Sequence, residues 1–361
     1  MYRRTSFSLT AVLITLPAFA GTIRDDRKDS SYVNMGSVFP SVGELRFTDN
    51  GDNFLCSGTL IAPDWVLTAA HCVDGGQHTT NMRFIINGQT INAAAWRAQD
   101  TWDDDLTEGN DIGLVHLSQP VDGVTPAVLY AQTNEKGKTG TFVGFGNTGD
   151  GKDGWESGTS GTRRAGQNKL DAKGGKFDYA DSILLADFDK PKHGDFNPLN
   201  FPPFGSINVL GSSSPQDFEY CIAPGDSGGG MFITVKKVTY LAGVNSFGGS
   251  LIPPFGDSSA DSTYGDYFGA TRVSKWNDWI NAEMAMGDAF TTPGGIDHGE
   301  DGQTNGKHII FPFDLNLGPA DSAEGLLATN DVAAVPEPAA VSLLAAAAAV
   351  VTCLRPRRAR A

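Results

Sequence analysis

Cysteine is scarce in this chain: four in 361 residues, at positions 56, 72, 221 and 353. A dense disulfide framework is therefore excluded, and stability has to come from a core that a chain of this length can bury. Cationic charge is also short. Lys and Arg number 27 against 42 Asp and Glu, a net charge of −15, which argues against nucleic acid as a partner. No histidine-rich zinc spacing occurs. Long amphipathic helical patterns are missing outside one late segment, while 44 glycines break up the rest. Short strands joined by many turns are expected. No internal repeat is evident. What is present is a chain with 40% hydrophobic and 19% charged residues, the balance of a globular protein.

Both ends read as addresses. Residues 1–20 have a basic start (Arg3, Arg4), an apolar run over 9–16 and the small residues Ala18 and Ala20. That is the pattern of a secretory signal peptide cut after Ala20, and export permits disulfides. The other end reads VPEPAAVSLLAAAAAVVTCLRPRRARA. Its apolar stretch, 339–354, is short against the roughly 20 residues that cross a bilayer. The arginines at 355, 357, 358 and 360 would resist translocation. This order of Pro-Glu-Pro, apolar helix and arginine cluster resembles the PEP-CTERM sorting signal of Gram-negative bacteria. The resemblance implies an exosortase that removes the tail, transient inner-membrane association, and a secreted or cell-surface product. A plain tail anchor is the other reading.

Between the ends lie a charged N-terminal arm (21–40), a body (41–284) and an acidic Gly- and Asn-rich spacer (285–334) with one apolar island at 308–317. The body reads mainly as strands: SVGELRF, FLCSGTLIA, WVLTAA, MRFIIN, TINAAAWRA, IGLVHLS, TGTFVGFG, MFITVKKVTYLAGVNSF with a turn at Lys236-Lys237, and TYGDYFGATRV. Only SKWNDWINAEM (274–284) looks helical, with Ser274 as its cap and Trp276, Trp279 and Ile280 on one face. An all-β barrel or sandwich with one late helix follows.

The stretch APGDSGGG (223–230) poses the functional question. It fits the G-x-S-x-G elbow of α/β-hydrolases, but that elbow needs a helix after the serine and a later histidine in the fold. Here the glycines lead into the strand-like MFITV, and the later histidines, His298 and His308, fall in the spacer. Upstream, however, stand WVLTAAHC (65–72) and NDIGLVHL (110–117). Together with GDSGG these segments resemble the chymotrypsin/trypsin family of serine proteases, over roughly residues 41–284. The resemblance implies an all-β fold of two packed six-stranded antiparallel β-barrels with a C-terminal helix. It also implies a serine endopeptidase acting on protein or peptide substrates, with His71, Asp111 and Ser227 as the triad.

The chemistry suits these residue types. A serine hydroxyl needs a base to become nucleophilic, and His71 titrates near neutrality. Asp111 would fix the imidazole tautomer and stabilise its charged form. The N–H groups of Gly225 and Ser227 would face the oxyanion, at roughly 3 kcal/mol per donor. The resemblance pairs Cys56 with Cys72, a closure contributing roughly 3 kcal/mol. It leaves Cys221 without a partner. It aligns Ser246, Phe247 and Gly248 with the substrate-binding strand and makes Glu219 a candidate for the specificity-pocket floor. Departures are Gly230 in place of proline, Phe247 in place of tryptophan, and a long interval between Asp111 and Ser227. In many members a new N-terminal ammonium pairs with the aspartate before the nucleophile, here Asp226. No Ile-Val-Gly-Gly stretch supplies it, so a cut after Arg24, Arg27 or Lys28, or another cation, would have to serve.

Other motifs carry less. GFGNTG (144–149) matches a dinucleotide fingerprint but precedes no helix. Asp103-Asp104-Asp105 reads as a solvated loop that could hold calcium, and no other cofactor is expected. His116 reads as a surface side chain. The competing function is a catalytically silent or zymogen-locked surface binding module.

Overall fold

Short apolar and β-branched runs, several of them buried on both faces, make the strands of the first barrel. In the computed structural model, which describes residues 21–191, 215–250 and 259–294, the chain opens with β1 (Gly21–Ile23) and α1 (Asp29–Ser37). Then come β2 (Val42–Asp49), β3 (Asp52–Ala62), β4 (Trp65–Thr68), β5 (Thr79–Ile86), β6 (Gln89–Ala98) and β7 (Gly113–Leu117). These last six close into a barrel in the order β2-β3-β4-β7-β6-β5. Leu45, Leu60, Val66, Phe84, Ile91 and Leu114 point inward and fill it. The signal-peptide and sorting-signal readings, and most of the spacer, lie outside the described residues.

The second half is built from β8 (Thr139–Gly144), β9 (Thr148–Asp150), β10 (Gly154–Glu156), β11 (Arg164–Lys169), β12 (Ala172–Lys173) and β13 (Ile183–Asp187). It continues with β14 (Tyr220–Cys221), β15 (Gly230–Val235), β16 (Val238–Gly249), β17 (Tyr267–Arg272) and the helix α2 (Asn277–Met284). Seven strands form an antiparallel sheet, β11-β8-β15-β16-β17-β13-β12. The all-β chymotrypsin-like fold expected from the sequence is thus present, as one closed barrel and one half-barrel. One core cluster runs across both: Phe232, Leu241 and Val244 of the second half pack with the residues of the barrel.

A small third sheet, β10-β9-β1-β14, incorporates the arm. β1 runs parallel to β9 and antiparallel to β14, with Thr22 opposite Cys221. The helix α1 lies on β11. Gly36 permits this approach, since a Cβ there would sit 2.8 Å from the Arg163 carbonyl oxygen. Asp29, in the first turn, binds the buried Arg164 guanidinium through both oxygens. The residues read as a charged arm are therefore part of the body.

The late helix is shorter than the sequence suggests. Residues 273–275 form a 3₁₀ turn, and Ser274 does not cap α2. Its hydroxyl donates to Glu135, which also receives the buried Arg272. A buried ion pair outbids the cap because an unsatisfied charge there would cost more than an uncapped helix end.

Turn chemistry sets the register of three hairpins. Asn50-Gly51 and Asn87-Gly88 have positive φ at both positions and join paired strands, as the tight two-residue loop demands. Lys236-Lys237 occupies the same kind of loop between β15 and β16, with φ of 50° and 69°. Lysine carries a Cβ penalty there that Asn-Gly avoids. Replacing Lys236-Lys237 by Asn-Gly is expected to stabilise the chain by about 1 kcal/mol. Chemical denaturation should show the midpoint rise at unchanged slope.

Candidate active site

His71 follows β4 in a short 3₁₀ turn, Ala70–Cys72, and the Cys56–Cys72 disulfide ties that turn to β3. Asp111 lies just before β7 and is fully buried. It receives two hydrogen bonds from one residue. The His71 backbone N–H donates to Oδ1 at 3.1 Å, and ring Nδ1 lies 2.9 Å from Oδ2. A carboxylate facing Nδ1 fixes the proton there and leaves the Nε2 lone pair available. Nε2 is buried and has no hydrogen-bond partner among the described residues.

The electrostatics follow from this pairing. Burial opposes the charged form of His71, but the Asp111 carboxylate outweighs it and holds the ring above its ordinary pKa. Burial likewise pushes Asp111 up, and the bonds from His71 and from Ser246 overcome it, leaving the carboxyl below its usual range. Ser246 was expected to bind substrate through its backbone. Its hydroxyl donates to Asp111 Oδ2. No pattern in the sequence signals that bond, which joins residues 135 positions apart.

Ser227 is held near the His71 turn by its backbone, and no hydrogen bond joins it to His71 among the described residues. The Ser57 N–H donates to the Ser227 carbonyl at 2.8 Å, and Ser57 is the neighbour of Cys56. The Ser57 hydroxyl donates to the Gly225 carbonyl, also at 2.8 Å. Gly228 takes φ of 80° and packs against the strand that leads to His71. A Cβ there would meet Thr68 Oγ1 at 2.0 Å and the Ala69 nitrogen at 3.0 Å. Gly225, with φ of 94°, makes the turn before it. Among the described residues no protein group accepts the N–H of Gly225 or of Ser227. Two free donors therefore flank the serine.

Residues 31–195 match the trypsin family model. The matched stretch contains His71 and Asp111 and ends before Ser227. It supports a trypsin-like serine protease domain. The chain also resembles a solved structure, HL collagenase, at 20% identity, with 74% of this chain and 98% of that chain covered and a TM-score of 0.48.

Asp226, the residue before Ser227, is satisfied by backbone and phenol donors, with the Arg164 charge acting on it. It is fully buried. Gly146 N–H donates to Oδ1 at 2.9 Å; Ala223 N–H and the Tyr220 hydroxyl each donate to Oδ2 at 3.0 Å. Burial still pushes its pKa up to about 6. The glycines of GFGNTG make room for this carboxylate: a Cβ at Gly144 would lie 2.2 Å from Asp226 Oδ1. The same Tyr220 hydroxyl touches β1, since a Cβ at Gly21 would fall 2.0 Å from it.

Phe247 lies over Gly269 and makes an edge contact with Tyr179, 5.9 Å between ring centroids. Gly248 is half-buried, with open space where a Cβ would stand. Glu219 does not have the setting of a pocket floor. It is 1% exposed, takes the Gln216 N–H, and lies among Asp189, Asp187 and Asp171. Cys221 is buried and free. Asp105 caps Thr107 through its N–H and hydroxyl, while Asp103 is exposed. Among the described residues the one cluster of three ligand side chains with mutually close ligand atoms is Cys56, His71 and Cys72, and its two cysteines are bonded to each other. His116 is not on the surface as such: it is stacked on Trp65 with centroids 4.3 Å apart, away from His71.

Proposed function

We propose that the protein is an exported serine endopeptidase in which His71, Asp111 and Ser227 form the catalytic triad. The observation that carries this is the buried Asp111 holding Nδ1 of His71 and leaving Nε2 as a base. In the proposed cycle His71 takes the Ser227 proton as Oγ attacks the peptide carbonyl. The oxyanion settles between the Gly225 and Ser227 N–H groups, and His71 returns the proton to the leaving amine. Water then repeats the sequence on the acyl-enzyme. A substrate strand laid along Ser246 and Gly248 would meet open space at Gly248, where a side chain would otherwise obstruct it.

The full chain, produced in an exporting host, is expected to be labelled at Ser227 by a serine-directed fluorophosphonate. Peptide mass spectrometry reads the site. Labelling should vanish in Ser227→Ala and fall strongly in His71→Ala. Absence of labelling in the wild type would leave the surface binding module as the function.

Processing belongs to the same reading. We place the mature N-terminus at Gly21, because β1 is paired on both edges and a cut after Arg24, Arg27 or Lys28 would sever it from α1. Arg24 is also committed, to Asp26 and to the Gln216 carbonyl. At the other end an exosortase would cut near Pro336-Glu337-Pro338 and release the protease outside the inner membrane. Intact mass from hosts with and without the exosortase tests this. A mature species that keeps residues 355–361 in the exosortase-positive host would make the tail an ordinary anchor.

A further inference from the structure

Four carboxylates are buried together at one end of the open sheet, away from the hydrolytic residues. Asp171 links β11 to β12, Asp187 ends β13, Asp189 follows it, and Glu219 leads into β14. None is more than 7% exposed. Glu219 is supported by the backbone N–H groups of Gln216 and Asp189. Asp187 receives no N–H or hydroxyl: both of its carboxylate oxygens are buried without a donor among the described residues, and so is Oδ2 of the facing Asp171. The two carboxyls lie within hydrogen-bond reach of each other, a contact that two ionised carboxylates cannot share. The nearby donors are engaged elsewhere. Asn168 gives its amide N–H to the carbonyls of Asp187 and Tyr220, and its own oxygen takes the Lys169 N–H. No Lys or Arg among the described residues pairs with Asp171, Asp187 or Glu219.

Buried polar atoms are almost always partnered, and a buried anion is retained only with a compensating charge or proton. Burial pushes Asp171 up to about 6, and burial with the neighbouring Asp189 pushes Asp187 well above the carboxylate range. Lys169, Lys176 and Lys136 act on Asp171 as charges without pairing with it, so the facing carboxyls still need a proton or a cation between them. The donor set is all anionic oxygen, with no sulfur or imidazole, which selects a hard cation. Calcium takes six to eight oxygens in irregular geometry and accepts carboxylates as bidentate ligands. Magnesium demands a tighter octahedron.

We propose that Asp171 and Asp187 bind a calcium ion, with backbone carbonyls and water completing its shell and Glu219 adding negative charge beside it. Such an ion would clamp the end of β13 to the β11–β12 link, beside the segment that enters β14. The proposal is independent of hydrolysis.

The probe is calcium chloride itself. The full chain, stripped with EDTA, is melted with and without 5 mM calcium, with magnesium as the control. Calcium is expected to raise Tm by about 5 °C or more, the shift for an ion well above its Kd. Magnesium should give less. Asp187→Asn should lose the calcium shift yet melt no lower than wild type in EDTA, because one of two repelling carboxylates is gone. Asp171→Asn provides the same reading should Asp187→Asn fail to fold. A wild type that ignores calcium would overturn the proposal in favour of a shared proton. A shift that both variants retain would overturn it by placing the ion elsewhere.

Discussion

Ser227→Ala is expected to abolish peptide hydrolysis, lowering kcat by about 10⁶, and Asp111→Asn to lower it by about 10⁴ with KM little changed. The two losses differ in kind. On the proposed mechanism, loss of Ser227 removes the nucleophile. Without the Asp111 charge, His71 loses the partner that fixes its proton on Nδ1. The pH profile separates these effects. His71 must be neutral to act, so kcat/KM falls as pH drops through the ring's pKa. In the wild type Asp111 holds that pKa up against burial. In Asp111→Asn only the smaller influence of Asp74 and Asp104 still opposes burial, so the acid limb should move to lower pH although the plateau is far lower. Ser246→Ala removes one of the bonds to Asp111 and is expected to cost about tenfold, the worth of a single hydrogen bond to a charged group. A steady-state pH series on the three variants checks all of this. An Asp111→Asn enzyme as active as wild type would remove Asp111 from the mechanism.

Activity should also depend on the freed N-terminus. A chain whose cleavage at Ala20 is blocked is expected to lose at least about 100-fold in fluorophosphonate labelling rate, and Gly21→Val a similar amount. The structural reason lies in Tyr220. Its hydroxyl donates to Asp226 and abuts Gly21, so a free Gly21 ammonium would enter beside the one buried carboxylate that orders the Ser227 loop. Valine at 21 would collide with the Tyr220 ring and would also have to adopt φ near 61°. Stability should report the same event. With Asp226 at about 6, above the ordinary aspartate value near 4, the folded uncut chain binds the proton more tightly than the unfolded one. Asp226 therefore contributes stability below about pH 4 that is lost as pH rises through 6, on the order of 3 kcal/mol. An ammonium partner lowers that pKa and flattens the slope. Denaturation of cut and uncut protein from pH 4 to 7, with Asp226→Asn as control, measures the difference. Equal labelling by the two forms would sink the idea.

Much of this molecule was legible in the sequence. The strands of the closed barrel were readable as short β-rich runs separated by Gly, Asn, Asp and Pro. The turn at Lys236-Lys237 announced one hairpin, which β15 and β16 form. WVLTAAHC, NDIGLVHL and GDSGG lie within short segments, and each is shaped by its own neighbours: glycine at 225 and 228 for positive φ, cysteine at 72 beside the histidine. The short strands β9, β10, β12 and β14 were not legible, because two or three residues carry no period. Nor was the arm's burial, which comes from partners more than a hundred residues away.

By itself, then, the sequence determined the residue types for nucleophilic catalysis, their order, the all-β class and the disulfide that the resemblance implied. Only the tertiary structure decided that Ser246 spends its hydroxyl on Asp111, that Ser274 serves Glu135 instead of a helix, that Glu219 joins a buried acidic cluster, and that Gly21 lies against Tyr220. Each of these is a contest for a buried polar group. Such a contest is settled by which donors and charges the fold happens to bring within about 3 Å, and local sequence does not encode that.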